Sequence, residues 1–307
     1  MKNQQDLDKI LDRLVKKAET RIDAIYAKRL TNILAEIGMM YEKYEVNGVL
    51  TMADMSKYNR LSKSMDIIIG ELVGTYSEVY AVTQTTMIEQ YLEAYFRQAY
   101  LAEFEAQARL GFGALSMATV TAAVENPIEF LTLPKILERN RANIVYKIQQ
   151  EITEGLIAGE SYQKMAKRLR DRVDMDKRKS QLVARTEAGR AQSLGKEDSY
   201  KQAKKHADVI KIWDASLDSR TRKTHRHLDG KPADKDGLFH SSGASAPQPR
   251  LFNVAKEDIQ CRCATRIQVN GREPTVRRVR LEDGSTKVIP WMNYKDWQES
   301  RIGAYTK

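Results

Sequence analysis

Cysteine is nearly absent from this chain: two residues in 307, Cys261 and Cys263, separated by a single position. So few thiols exclude a disulfide-built scaffold and suit a reducing cytosol, and a bridge between such close neighbours would be strained. Long apolar runs are missing as well. The longest uncharged stretch, Leu110 to Val124, is too short and too rich in Gly, Ser and Thr to span a bilayer, so no stable membrane insertion is expected. Nor is a secretory leader, because the chain opens on the polar run Met-Lys-Asn-Gln-Gln-Asp. Two large enzyme classes also lack their signatures, since there is no glycine-rich phosphate loop of P-loop form and no serine elbow.

Charge, by contrast, is plentiful. Charged residues make up 30% of the chain and mean hydropathy is −0.56, while an apolar fraction of 42% supports a folded protein with much exposed helix surface. The length suits two domains of ordinary size. Residues 1–134 hold 14 Lys+Arg against 18 Asp+Glu, a balance of −4, whereas residues 135–307 hold 37 against 23, a balance of +14. This asymmetry predicts two surfaces with different partners. Clustered Lys and Arg displace phosphate counterions, so one reading of the basic half is a nucleic-acid-facing surface; the other is an ordinary basic surface, or one that meets an acidic protein. Lys204, Lys205, Arg277, Arg278 and Arg280 are the candidate nucleic-acid contacts.

Apolar residues at spacings of three and four, from Leu7, Ile10, Leu11 and Leu14 to Ile33 and Ile37, predict one helix over 3–45. Thr51 is placed to cap the next. From Asp54 to about Leu110 the pattern is helical again, densest at Ile67, Ile68, Ile69, Leu72, Val73 and Tyr76, and two long helices joined by a short turn fold back as an antiparallel hairpin. Tyr76, Tyr80, Tyr91, Tyr95, Phe96, Tyr100 and Phe104 fall at helical spacing, as bundle core or, alternatively, as a partner-binding stripe. Gly111-Phe112-Gly113 opens a loop or hinge, with one short helix as an option within it, that lasts to Pro134. Helices are expected to resume at 135–158, 160–171 and 176–206, with Asp174-Met175-Asp176 punctuating the last step. In the third of them Glu187 and Arg190 are spaced to pair.

After Asp208 short alternating runs predict strands at 209–213 and 264–269 and a hairpin at 276–281 and 286–289 turning on Asp283-Gly284. Residues 241–249 read as flexible by composition, with Leu238, Phe239, Leu251 and Phe252 anchoring the loop ends. Trp291, Tyr294, Trp297 and Tyr305 lie among charges in the tail, packed on their own domain or a neighbouring subunit, or gripping single-stranded nucleic acid. The expected fold is mainly α with a small α+β C-terminal domain: long antiparallel helices at the N-terminus, short strands and irregular loops after residue 208. Its expected segments are a long-helix hairpin at 1–110, a hinge at 111–134, a helical lead-in at 135–207, an α+β module at 208–270, and a hairpin and tail at 271–307.

Reactive groups gather between residues 213 and 263, which hold both cysteines and three of the four histidines. On a strand Cys261 and Cys263 point to one side, so both sulfurs reach one ion, and tetrahedral zinc takes Cys and His readily. His225, with His240 or His227, offers the remaining ligands; buried reduced thiols are the alternative. An enzymatic reading draws His225, His227, Asp218, Arg220 and Asp229 as a hydrolase or nuclease centre, with His as general base and carboxylates on a divalent metal. Against it, no acid pair is isolated from a basic neighbour. The non-catalytic reading has Asp218 capping or bridging Arg220 and Arg222, Leu228 entering the core, and Asp229-Gly230 turning into the loop.

The same residues carry a resemblance. Trp213-Asp214, then Asp218-Ser219-Arg220-Thr221-Arg222, then His225-Arg226-His227-Leu228-Asp229-Gly230, a phenylalanine, a proline-bearing loop and Cys261-Arg262-Cys263 form one ordered series. With Arg185-Thr186-Glu187 on the helix upstream, the series resembles the Mu F-type head morphogenesis domain of tailed bacteriophage minor head proteins, over about residues 135–267. Gln260 departs from that pattern, which commonly has Asn there. The resemblance implies a minor head protein that enters proheads in a few copies, associates with the portal vertex and assists head assembly, DNA packaging or genome delivery. Implied partners are the portal protein and, as candidates, packaged double-stranded DNA, scaffold or major capsid protein; the implied location is the virion near the portal, after the host cytoplasm during assembly. The alternative from another class is a phage-encoded metal-dependent nuclease or nucleotide-modifying enzyme.

Overall fold

A computed structural model describes residues 4–125, 132–271, 276–280 and 286–290. The elements are helices α1 (Gln4–Tyr44), α2 (Met52–Ser56), α3 (Arg60–Ala106), α4 (Met117–Val124), α5 (Leu133–Ile157) and α6 (Tyr162–Lys204), then strand β1 (Val209–Asp214), α7 (Lys223–Leu228), β2 (Phe239–Ser241), β3 (Ala244–Ala246), α8 (Ala255–Asp258), β4 (Ala264–Val269), β5 (Val276–Arg280) and β6 (Thr286–Pro290). The fold is mainly α, with long N-terminal helices and short strands confined to the C-terminal part. Two compact units interleave along the chain: a helical unit of Lys16–Thr85 and Leu131–Ala184, and a mixed unit of Met1–Val15, Thr86–Phe130 and Arg185–Lys307. No helix among the described residues is long and apolar enough to cross a membrane.

In the helical unit the three-four spacing buries Ile22, Ile33 and Ile37 of α1, Ile68, Leu72 and Tyr76 of α3, and Ile144, Ile148 and Ile152 of α5. Ile67 and Val73, part of the expected apolar patch, fall on the outer face and stay exposed. Between α1 and α3 the chain reverses through Asn47 and Gly48, both at positive φ, and Thr51 caps α2 in a capping box with Asp54. The helix expected without interruption from Asp54 is broken at Tyr58, whose φ of 53° leaves the helical region. Arg29 then ties the hairpin, donating to Glu71 at 2.8 Å and pairing with Glu78.

The break expected at Asp174-Met175-Asp176 does not occur; α6 runs through it. Asp176 is buried, and one of its carboxylate oxygens accepts hydrogen bonds from Tyr26 and Tyr76 at 2.7 Å each. An acid that reads locally as punctuation is used here as a buried acceptor, so tertiary contact overrides local preference. Burial pushes this carboxyl above its ordinary range. Gly155 lies inside α5, where a Cβ would meet Met165 Cε at 2.3 Å.

In the mixed unit Leu7 and Leu11 of α1 pack on Ala94 and Leu101 of α3, and Gln90 donates to the Leu11 carbonyl at 2.6 Å. Glu187 and Arg190 pair as their spacing predicts, but buried, and Arg190 also donates to the Val124 carbonyl at the end of α4. Among the described residues, strands form three two-stranded antiparallel sheets, β1 with β4, β2 with β3, and β5 with β6. Buried Lys211 of β1 reaches Glu197 of α6 at 2.6 Å and lies over the Tyr200 ring, while buried Lys196 donates to the Thr265 carbonyl of β4. The stretch read as flexible is ordered: β2 and β3 pair across Ser242 and Gly243, both at positive φ, and Ala246 and Gln248 are buried. Asp283-Gly284 and the tail aromatics Trp291, Tyr294, Trp297 and Tyr305 lie outside the described residues.

Two glycines give a paired test of the close packing of α3 on α6. A Cβ at Gly195 would stand 2.3 Å from the Tyr91 carbonyl oxygen, whereas one at Gly70 meets nothing within 4 Å. Gly70→Ala is expected to stabilise the protein by ~1 kcal/mol through helix propensity. Gly195→Ala is expected to destabilise it by ~1–3 kcal/mol, because backbone must move. Urea denaturation followed by circular dichroism measures both, and equal shifts in the two variants would contradict the packing.

Candidate functional site

The module that follows α6 is assembled around Trp213. Its strand, β1, pairs with β4 in the register Trp213↔Thr265 and Asp214↔Ala264. Trp213 also exchanges backbone bonds with the far side of the α7 turn, donating to the Lys231 carbonyl and accepting from Gly230 N–H at 2.9 Å each. That turn needs Gly230, whose φ is +76°. Asp229 stabilises it by accepting from the Ala215 N–H at 2.8 Å. The fully buried indole then collects Leu228, Phe239, Phe252, Cys261 and Cys263 into one core, with His225 edge-on to its ring at 5.2 Å and Phe252 stacked on His225.

Among the described residues, His225, Cys261 and Cys263 form a buried group whose ligand atoms all lie within 4.8 Å of one another. His225 Nδ1 is 3.5 Å from Cys261 Sγ and 3.6 Å from Cys263 Sγ. The other ring nitrogen, Nε2, donates to Glu257 Oε2 at 2.9 Å, and Ser241 Oγ donates to the same oxygen at 2.9 Å. Burial pushes the Glu257 carboxyl up, but bonds from Ser242, Ser241 and His225 hold it below its ordinary range. Such a carboxylate keeps the proton on Nε2 and turns Nδ1 toward the sulfurs. Cys261 is held well below the usual thiol range, first by the hydrogen bond from Cys263 and then, against burial, by His225 and Arg250; Cys263 is driven up by its bond to Cys261 and by burial. Burial alone would lower His225, yet the Cys261 and Glu257 contacts raise it.

The residues singled out from sequence are distributed as follows. Leu228 enters the core and Asp229-Gly230 forms the turn, as expected. Asp218 caps Arg220 as expected, accepting its backbone N–H at 3.0 Å and the Thr221 hydroxyl, but its carboxylate pairs bidentately with Arg262, at 2.8 Å for Arg262 Nη2, rather than with the Arg220 or Arg222 side chain. The Arg220 side chain is exposed, and Arg222 donates to the Ile259 carbonyl. Cys261 and Cys263 precede β4 rather than lying on a strand, although both sulfurs still face His225. His240 is not brought to them; its exposed ring meets Ser245 Oγ at 2.8 Å and Asp234 Oδ2 at 2.6 Å. His227 is exposed and faces Lys231. On α6 Arg185 is exposed, Thr186 half-buried and Glu187 buried. Lys204 and Lys205 are exposed at its end, whereas Arg277, Arg278 and Arg280 lie on β5 with side chains outside the described residues.

Three residues of the site carried no expectation. Glu257 orients His225, Arg262 binds Asp218, and buried Arg250 donates to the carbonyls of Cys261 at 2.9 Å and Cys263 at 2.8 Å. Only Arg262 had a local signal, its place inside Cys-Arg-Cys.

The family described as Phage Mu protein F like protein matches residues 146–266, which include the helix α6 and the whole Trp213 core. The chain is 43% identical over 300 residues to the minor head protein GP7 of Bacillus phage SPP1, covering 97% of each chain. It is 28% identical over 300 residues to the NAD(+)–arginine ADP-ribosyltransferase EFV of Enterococcus faecalis, covering 97% of this chain but 60% of that protein. No solved structure matches significantly.

The Asp218–Arg262 pair fixes the 215–222 loop to the Cys-Arg-Cys segment and gives a pH signature. Burial opposes the charged carboxylate, yet Arg262 and its other donors hold Asp218 below its ordinary value of 3.8. The folded group therefore binds its proton less readily than the unfolded one, so the stabilisation is full above pH 3.8 and is lost as pH falls through the lower folded value. Asp218→Asn is expected to cost ~1–3 kcal/mol at neutral pH. The gap in thermal midpoint between wild type and variant should close on acidification, and a gap that persists unchanged into strong acid would contradict the pairing.

Proposed function

The chain belongs to the phage Mu protein F-like family of minor head proteins, and from that premise we propose that it joins the prohead at the portal vertex, touching the portal protein through α3 and packaged double-stranded DNA through its basic C-terminal part. Its role in phage head morphogenesis, and with it a place in the virion, rests on one observation: 43% identity to a minor head protein across 97% of both chains. The portal and DNA contacts are our extension of that role.

Surface chemistry supports the extension. Tyr76, Tyr91 and Tyr95 are core residues of α3, but Phe96, Tyr100 and Phe104 recur at every fourth position and are exposed among the described residues, with Tyr100 and Phe104 stacked. Aromatic side chains are enriched at the centres of protein interfaces. For DNA, the +14 balance of residues 135–307 supplies the cations, with Lys204 and Lys205 presented at the end of α6. Such contacts to phosphate carry no sequence preference and weaken steeply with salt, which suits a protein that must tolerate any genome sequence.

We assign the residues of the Trp213 core structural roles. Asp218 is engaged by Arg262, Asp229 by the Ala215 N–H, and His225 is enclosed at 1% exposure, out of reach of the substrate that a general base must touch. The transferase activity in the name of the Enterococcus relative is that of a longer protein, of which this chain spans 60%.

A portal ring of the same phage, immobilised and incubated with purified chain, tests the assignment. Wild type should be retained, and the triple variant Phe96→Ser, Tyr100→Ser, Phe104→Ser should be lost with an unchanged thermal midpoint. Retention of the triple variant would remove α3 from the interface; failure of wild type to bind would remove the portal. Double-stranded DNA binding by the same preparations should fall linearly in log–log plots against salt, and a salt-independent affinity would remove the phosphate contacts.

A further inference from the structure

We propose that His225, Cys261 and Cys263 bind one divalent cation of the zinc class, forming a structural metal centre inside the mixed unit. The first support is distance. In tetrahedral zinc with Zn–S of about 2.3 Å and Zn–N of about 2.0–2.1 Å, a sulfur and a nitrogen on the same ion stand about 3.6 Å apart. The two measured separations from His225 Nδ1 are 3.5 and 3.6 Å. Both cysteines are free thiols, so neither sulfur is consumed by a disulfide.

The second support is the way the ring is held. Metal-bound imidazoles commonly give their other N–H to a carboxylate, which fixes the tautomer and raises ligand basicity. Glu257 occupies that position on Nε2 and is itself held by Ser241. The ligand segments are equally constrained. Arg250 grips the carbonyls on either side of Arg262, so the two thiols are presented from a fixed backbone.

Charge and enclosure complete the argument. On binding, the two protons shared among Cys261, Cys263 and His225 Nδ1 leave to solvent, so both sulfurs bind as thiolates, while His225 keeps its Nε2 proton and offers the Nδ1 lone pair. Two thiolates neutralise the dication. Trp213 and Phe252 pack on the His225 ring, and all three ligands are buried. The described residues supply three donors. Enclosure makes the centre structural, joining α7 to the segment that enters β4. This assignment holds whether or not the chain meets a portal.

The test uses the full chain produced in zinc-supplemented medium, dialysed without chelator and assayed by inductively coupled plasma mass spectrometry. About one zinc per chain is expected, as for other structural sites. Cys261→Ser/Cys263→Ser should carry none. Because that variant alters two core residues, wild type stripped with chelator is also titrated with Co²⁺: sulfur-to-cobalt charge-transfer absorption should saturate at one equivalent. Glu257→Gln should give the same spectrum with affinity weakened roughly 10–100-fold, the loss typical of an orienting carboxylate. Wild type without metal and without cobalt–thiolate absorption would overturn the proposal, as would a mass spectrum showing the two thiols joined in a disulfide. Zinc retained by the double serine variant would overturn the ligand set.

Discussion

The mixed unit depends on one buried guanidinium. Arg250 donates through Nη1 to the Gly189 carbonyl and the Gln192 side chain of α6, through Nε to the Cys261 carbonyl and through Nη2 to the Cys263 carbonyl. A charge removed from water without a carboxylate is tolerated only when its donors are satisfied, and the planar fork of arginine meets carbonyls on two sides at once. Room for it comes from Gly189, where a Cβ would stand 2.9 Å from Arg250 Cδ. The Arg250 backbone is itself in the left-handed region, at φ 70°, a conformation few side chains other than Asn and Asp adopt readily. Helix α6 is thereby fastened to the Cys-Arg-Cys segment, which leads into β4, which pairs with β1 and so places Trp213 and the histidine beside it.

The long helices were legible because their signal is local. Each three-four stripe of Leu and Ile on α1, α3 and α5 specifies a helix and its buried face within a few turns. The same locality explains the errors. Asp176 looks like a helix break among charged neighbours, and only its meeting with Tyr26 and Tyr76, 150 and 100 residues away, makes it a core acceptor. Residues 241–249 have the composition of a linker, yet their small side chains let the β2–β3 hairpin turn through Ser242 and Gly243.

The candidate site divides along the same line. His225, Leu228, Asp229, Gly230, Cys261 and Cys263 were visible as types and spacings, and the fold brings His225 to both thiols. The groups that position them were not visible. Glu257 lies 32 residues from His225, and Arg250 lies 61 from Gly189; nothing in the intervening chain announces either contact. Distance also misdirected two assignments: Asp218 caps nearby Arg220 but takes its ion pair from Arg262, and His240, close in sequence to the cysteines, is turned outward to Asp234. The long-range polar contacts that fix this core leave Phe96, Tyr100 and Phe104 of α3 and Lys204 and Lys205 at the end of α6 exposed.

The most direct measurement is hydrogen–deuterium exchange on wild type and Arg250→Lys, which keeps the charge but removes the fork. Amides of β1, α7 and β4 should lose protection together in the variant, while those of the helical unit between Lys16 and Thr85 keep it. Unchanged protection across β1, α7 and β4 would show that the module stands without Arg250 and would contradict the account.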